Sequence, residues 1–150
     1  MSASWGPQVW AFFHTIAEKV DAGFFIQKRE TLINIIKQIA SLLPCPICRE
    51  HALQNLTKIN FAYITTKERY IQFLFEFHNI VNRMLNKPEF AENKLEQYKS
   101  YNLEKVWQNF YAVMYRNYFN QRNLNESMLR RKMLSEIQLF LITNKRHFQI

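Results

Sequence analysis

Two cysteines occur in the 150 residues, Cys45 and Cys48, within the stretch LLPCPICREHA (42–52). Thiols at this spacing have four readings. As a structural staple they would close so short a loop that the chain-entropy gain is only about 2 kcal/mol, against nearly 5 for a loop of about 100 residues. As a structural zinc site they lack two ligands, since such sites draw four from paired C-x-x-C motifs or a later histidine pair. His51 lies close by, but His14, His78 and His147 show no matching spacing. As incidental thiols they need only pack like small apolar groups. As a redox pair they would alternate between dithiol and disulfide. The flanking residues favour this last chemistry. Pro44 ends the preceding helix and Pro46 suits the first position of the next, making Cys45 the N-cap and Cys48 the third helical residue. Both sulfurs then lie over unpaired backbone N–H groups at the positive end of a helix, where thiolate is stabilised. Thioredoxin-like proteins place the motif in βαβ units, which this chain does not show.

The elements that must position the pair are helical. Only two glycines and four prolines are present, with 48% apolar and 21% charged residues, which suits one helix-rich globular domain. No apolar run reaches the roughly 18 residues of a membrane span, and no basic segment precedes an apolar one at the start as in an export signal. In WGPQVWAFFHTIAEKV (5–20), Trp10, Phe13, His14 and Ala17 share one helical face. Residues 27–43 form an amphipathic helix with the stripe Leu32, Ile35, Ile36, Ile39 and Leu43. A third helix runs from the cysteines to about Lys58. NFAYITT reads as a loop ending in Thr66, a suitable N-cap. In the fourth helix, 67–86, Leu74, His78, Val81, Asn82 and Leu85 make a stripe whose polar members, His78 and Asn82, lie one turn apart. Pro88 stops it, and EFAENKLEQY allows a short fifth helix. Leu103, Val106, Trp107, Phe110 and Met114 mark another stripe. NQRNLNES is a polar break before a last amphipathic segment, Met128 to Thr143, carrying Leu134, Ile137 and Leu141. On periodicity alone His14, His78 and Asn82 are satisfied core polar groups.

Three stretches together carry a resemblance: WGPQVWAFFHTIA (5–17), LLPCPIC (42–48) and EFHNIVNRMLNKPEF (76–90). In order and spacing they resemble the Erv/ALR family of FAD-linked sulfhydryl oxidases, nearest the short forms encoded by large nucleocytoplasmic DNA viruses. The resemblance covers roughly residues 4–100. It implies an all-α fold, a four-helix bundle plus a short fifth helix, holding FAD without a covalent link and forming a homodimer. Residues 1–100 would be the oxidase domain and residues 101–150 an additional helical extension. It turns His14, His78 and Asn82 into FAD contacts, joined by Trp5, Gly6, Trp10, Asn79, Val81 and Leu85, with Tyr98 near the aromatic of the fifth helix. Lys87, helped by Arg83, would offset the pyrophosphate charge. Pro7 stands where cellular members often have an arginine, so one phosphate contact is either missing or supplied from elsewhere. The implied reaction oxidises two thiols to a disulfide with molecular oxygen as acceptor, giving hydrogen peroxide. Cys45 would be the distal, substrate-facing sulfur and Cys48 the proximal one that hands electrons to the flavin. No second, shuttle C-x-x-C is present, so a dithiol protein or a small thioredoxin-like carrier would have to reach Cys45 directly. The viral likeness implies a cytoplasmic enzyme, in the host cytoplasm or the virion.

Residues 101–150 lie beyond the resemblance and are basic, with eight Lys/Arg against three Asp/Glu within a formal net charge of +8. Trp107, Phe110, Tyr111, Tyr115, Tyr118 and Phe119 interleave there with Arg116 and Arg122. Such a pattern serves RNA binding, partner docking or packing on the bundle. Packing is the expectation; nucleic acid and membrane are not expected partners. The rival reading of the whole chain is a non-enzymatic helical module whose basic C-terminal region binds a partner.

Overall fold

The computed structural model describes residues 5–116 and 124–149. The helices are α1 (Gly6–Lys19), α2 (Ala22–Gln27), α3 (Arg29–Ser41), α4 (Pro46–Leu56), α5 (Lys67–Met84), α6 (Leu103–Tyr115) and α7 (Leu124–Thr143). Short 3-10 segments occupy Phe61–Tyr63, Glu92–Lys99 and Lys145–His147. Among the described residues there is no strand, and the one sheet-like pairing is an isolated bridge between Val20 and Phe148. The expected bundle is therefore α1, α3, α4 and α5. The short fifth element is a 3-10 segment, and α6 and α7 form the extension.

Most helix starts follow from local chemistry. Pro7 sits in the first turn of α1, where a missing N–H costs nothing. Thr66 caps α5 by accepting from the Arg69 N–H, and Asn102 caps α6 by accepting from Lys105. α2 is an element the periodicity did not announce. α7 begins at Leu124, so the second half of the expected polar break is helical. Glu126 in its first turn is favoured there by the helix dipole and by an ion pair to Arg49. Tyr118, Phe119 and Arg122 lie outside the described residues.

α1 is the hub. Its sequence shows one apolar face, yet it is buried around most of its circumference. Trp10 meets α5, with its ring 5.5 Å from Phe77. On the other side Phe12, fully buried, stacks on Phe110 at 4.8 Å and meets Trp107 at 5.1 Å, both from α6. Trp107 and Phe110 of the extension are thus spent on the core, whereas Tyr115 is exposed. Lys19 at the end of α1 is buried as well, and donates to the Lys99 carbonyl at 2.6 Å. α7 packs on α6 and α3, and Leu134 and Ile137 join the same continuous apolar cluster as α1. The chain end is tied back by backbone bonds from Asp21 N–H to the His147 carbonyl and from Gln149 N–H to the Lys19 carbonyl, each 2.8 Å.

Candidate functional site

Cys45 and Cys48 form a disulfide, with Cα atoms 5.1 Å apart. The geometry is the one the two prolines dictate. Cys45 is the N-cap of α4, its sulfur accepts from the Cys48 N–H at 3.2 Å, and Pro46 opens the helix. Both cysteines are half-buried. They differ in what they face. Cys48, but not Cys45, lines a cavity of about 110 Å³ enclosed by four helices.

That cavity is walled by Trp5, Gly6, Val9, Trp10 and Phe13 at the start of α1, by Ala40 and Leu43 at the end of α3, by Ile47, Cys48, His51 and Ala52 of α4, and by Phe77, Val81, Met84 and Leu85 of α5. The walls are aromatic and aliphatic, with one cysteine sulfur and one imidazole. Of the residues expected from sequence, Trp5, Gly6, Trp10, Val81, Leu85 and Cys48 meet here.

His14, His78 and Tyr98 meet next door, joined to the cavity by the Trp10 ring. Trp10 stacks on His78 at 4.0 Å, the ring planes nearly parallel. His14 Nε2 and His78 Nδ1 are hydrogen-bonded at 2.9 Å. Tyr98 stacks on His14 at 4.9 Å. Phe90 covers both imidazoles, at 5.2 Å from His14 and 4.7 Å from His78.

The two asparagines explain how Phe90 arrives. Asn86 adopts a left-handed conformation (φ 55°) just past α5, and bonds from Asn86 N–H to Arg83 and from Lys87 N–H to Asn82 close the helix. The chain then folds back along α5. Asn82 donates to the Pro88 carbonyl at 3.3 Å. Asn79 donates to the Phe90 carbonyl at 3.1 Å and accepts from the Phe90 N–H at 2.7 Å. Asn79 and Asn82 therefore hold the 87–90 segment over His78. That segment carries Lys87, whose charge is felt at His78, while Arg83 is exposed and paired with Glu89.

Burial, and then the neighbouring His78, lowers the His14 pKa to about 3; burial, and then Lys87, lowers that of His78 to about 4. Both rings are neutral at pH 7 and share one proton between the facing nitrogens. Burial and the nearby Tyr101 push the Tyr98 hydroxyl up to about 12, so it stays protonated. The lowered histidine values give a pH dependence of stability. Between the ordinary value near 6.5 and the depressed ones, the unfolded chain binds protons that the folded chain does not. Stability is full above about pH 6.5 and falls as pH drops toward 4, with a slope of up to about 1.4 kcal/mol per pH unit for each ring. Urea unfolding at pH 7 and pH 5 checks this, and His14→Gln should flatten the difference.

A family model described as the Erv1 / Alr family matches residues 7–101. The chain belongs to the Erv1/Alr family. An African swine fever virus protein named FAD-linked sulfhydryl oxidase is 40% identical over 84 residues, covering 55% of this chain and 69% of that one. A protein of Invertebrate iridescent virus 3 is 32% identical over 94 residues, 62% of this chain and 64% of that one. The rice protein named FAD-linked sulfhydryl oxidase ERV1 is 33% identical over 85 residues, 57% of this chain and 43% of that one. The chain thus spans about two thirds of the viral relatives and less than half of the plant one. No solved structure matches it at a significant level.

The site of this Erv1/Alr chain suits a flavin by its chemistry. Flat aromatic and aliphatic walls suit the isoalloxazine, and the ring cluster of His14, His78, Phe90 and Tyr98 suits a second ring system, with the Lys87 cation close enough to be felt at His78. The cavity is narrower than the roughly 300 Å³ of an ordinary cofactor site. Its rim includes Ile47 and Met84, which are 65% and 42% exposed, so the walls that must yield are side chains facing solvent. Sequence reasoning missed Phe90, Phe13, Phe77 and His51 as site residues. His51 had a signal, because Cys48, His51 and Ala52 follow i, i+3, i+4 and so share a face of α4. Phe90 closes the third of the three motifs, but no periodicity places it over the imidazoles, because its position depends on the reversal at Asn86.

Proposed function

We propose that the chain is an FAD-dependent thiol oxidase with Cys45–Cys48 as its redox-active disulfide, converting two thiols and O₂ to a disulfide and H₂O₂. The observation that carries the reading is the position of Cys48, bonded to Cys45 on one side and forming the wall of the aromatic cavity on the other. Cys45, outside the cavity wall, is the sulfur offered to substrate.

A substrate thiolate attacks the Cys45 sulfur, the Cys45–Cys48 bond breaks, and Cys48 leaves as thiolate. The second substrate thiol attacks the substrate sulfur of the mixed disulfide. That forms the product disulfide and releases Cys45. The N-terminus of α4 would stabilise each thiolate in turn, and in the disulfide the Cys48 N–H already donates to the Cys45 sulfur. FAD, bound along the cavity and the histidine cluster, would take the two electrons of the dithiol and deliver them to oxygen. Trp10, Phe13, Phe77 and Leu85 would hold the isoalloxazine against Cys48 and keep water from it. His14 and His78, neutral and mutually bonded, would present ring edges without charge. Asn79 and Asn82 act through the 87–90 segment, placing Lys87 where a pyrophosphate needs a cation. Lys87 thus supplies positive charge that Pro7, standing in place of an arginine, does not.

The substrate class is a dithiol protein or a small thioredoxin-like carrier able to touch Cys45. Residues 1–100 are the oxidase unit in this reading, and residues 101–150 its extension. A homodimer, and a place in the host cytoplasm or virion, extend the viral likeness. Among the described residues no helix is long and apolar enough to cross a membrane. Oxygen uptake by the purified chain supplied with FAD and dithiothreitol tests the reading. One H₂O₂ per O₂ supports it; a chain that neither retains FAD nor consumes oxygen overturns it.

A further inference from the structure

The backbone leading into the cysteines is held from outside the family match. Arg130 on α7, only 1% exposed, donates from Nη1 to the Leu42 carbonyl at 3.0 Å. Arg49, one turn into α4, donates to the Leu43 carbonyl at 2.9 Å. Its guanidinium is gripped by both carboxylate oxygens of Glu126 on α7, at 3.1 and 3.0 Å. Leu42 and Leu43 follow the last turn of α3, where carbonyls lack helical partners. Two consecutive carbonyls there are capped by guanidinium groups, one belonging to α7 and the other fixed by it. Pro44 and Pro46 remove further backbone freedom on either side of Cys45. Once Leu42 and Leu43 are anchored, few soft torsions remain before the disulfide. The family match ends at residue 101, well short of Glu126 and Arg130.

We infer that α7 sets the redox balance of the Cys45–Cys48 pair, with Glu126 and Arg130 as positioning residues that hold the cysteine loop in its disulfide-forming shape. The inference rests on the redox role proposed above for the pair. Two effects give it the same sign. Anchoring keeps one thiol at high effective concentration near the other, which favours the disulfide. The Glu126 carboxylate also neutralises Arg49. Without it an unpaired guanidinium in the first turn of α4 favours thiolate, and hence the dithiol. Loosening the grip therefore makes the disulfide easier to reduce.

The test uses the full chain, free of FAD and under anaerobic conditions, equilibrated with mixtures of reduced and oxidised dithiothreitol. Two electrons and two protons pass from reduced dithiothreitol to the protein disulfide, and the dithiol fraction is read by alkylation and mass. Glu126→Ala is expected to shift the exchange constant toward dithiol by about tenfold, or about 30 mV. Glu126→Gln, which keeps an acceptor for Arg49, is expected to shift it less, and Arg130→Lys, which keeps a donor for Leu42, less than Arg130→Ala. Ile137→Ala, in the α7 core two turns past Arg130, controls for general loosening and should lower the melting temperature without moving the exchange constant. Glu126 is partly exposed, so its variants keep the fold, which far-UV circular dichroism verifies. A Glu126→Ala constant within twofold of the parent, or an equal shift in Ile137→Ala, overturns the inference. Because the readout contains neither FAD nor oxygen, a shift as expected in a chain that consumes no oxygen leaves this inference standing and removes only the oxidase reading.

Discussion

Cys48→Ser is expected to reduce dithiol-driven oxygen uptake by roughly a thousandfold or more, to the level of protein-free FAD. The expectation follows from where each sulfur lies. Cys48 is the one cysteine in the cavity wall, so without it no thiolate stands where the flavin would be held. Cys45→Ser should match it within a few fold, because substrate then has no disulfide to attack. Each change also breaks the disulfide, so it should cost up to about 2 kcal/mol, the gain of so short a loop, and leave the fold intact. Serine replaces a half-buried sulfur at similar volume, and its hydroxyl is itself a good N-cap at position 45. An oxygen electrode gives the rates and far-UV circular dichroism the fold. If either variant turns over at near the parent rate, the roles given to the pair are wrong.

Phe110→Ala is expected to destabilise the whole protein by about 3–5 kcal/mol. Phe110 is fully buried, stacks on Phe12 and sits 5.4 Å from Trp107. Removing its ring opens a cavity against α1, which is covered on its remaining sides and has little freedom to collapse inward. Domains of this size have only about 5–15 kcal/mol in total, so the loss is a large share. Urea unfolding should show a lower midpoint with an unchanged slope. The same change would cost under about 1 kcal/mol if α6 merely rested on a self-sufficient bundle. The result bears on function, because α1 carries Trp10 and His14 and any play in α1 widens the cavity.

What the sequence made legible, and what it hid, divide along a physical line. The cysteine loop was readable residue by residue, since two prolines and an N-cap are local signals that no tertiary contact has to supply. The stripe of α5 was readable too, because it has one buried face. α1 was read only in part: Trp10, Phe13, His14 and Ala17 are one of two buried faces, and the second exists because α6 covers it from about 100 residues away. Charged residues were less legible than apolar ones. Lys19 and Arg130 count as solvated basic residues in a composition, yet both are buried and bonded to backbone carbonyls. Nothing in a charge tally separates a surface lysine from one that caps a distant helix end. Asn79 and Asn82 were singled out by the family resemblance, as flavin contacts, but their bonds to 88–90 require the left-handed turn at Asn86, which sequence alone does not fix.

The oxidase reading turns on the Cys48 sulfur lying against the flavin ring, and one absorbance spectrum addresses that contact. Cys45→Ser, loaded with FAD at pH 8, should show a broad long-wavelength band from the unpaired Cys48 thiolate beside the oxidised ring, and acidification should bleach it as the thiol forms. Cys48→Ser under the same conditions should bind FAD and show no such band. Two FAD-loaded variants with identical spectra would place the Cys48 sulfur away from the ring and contradict the reading.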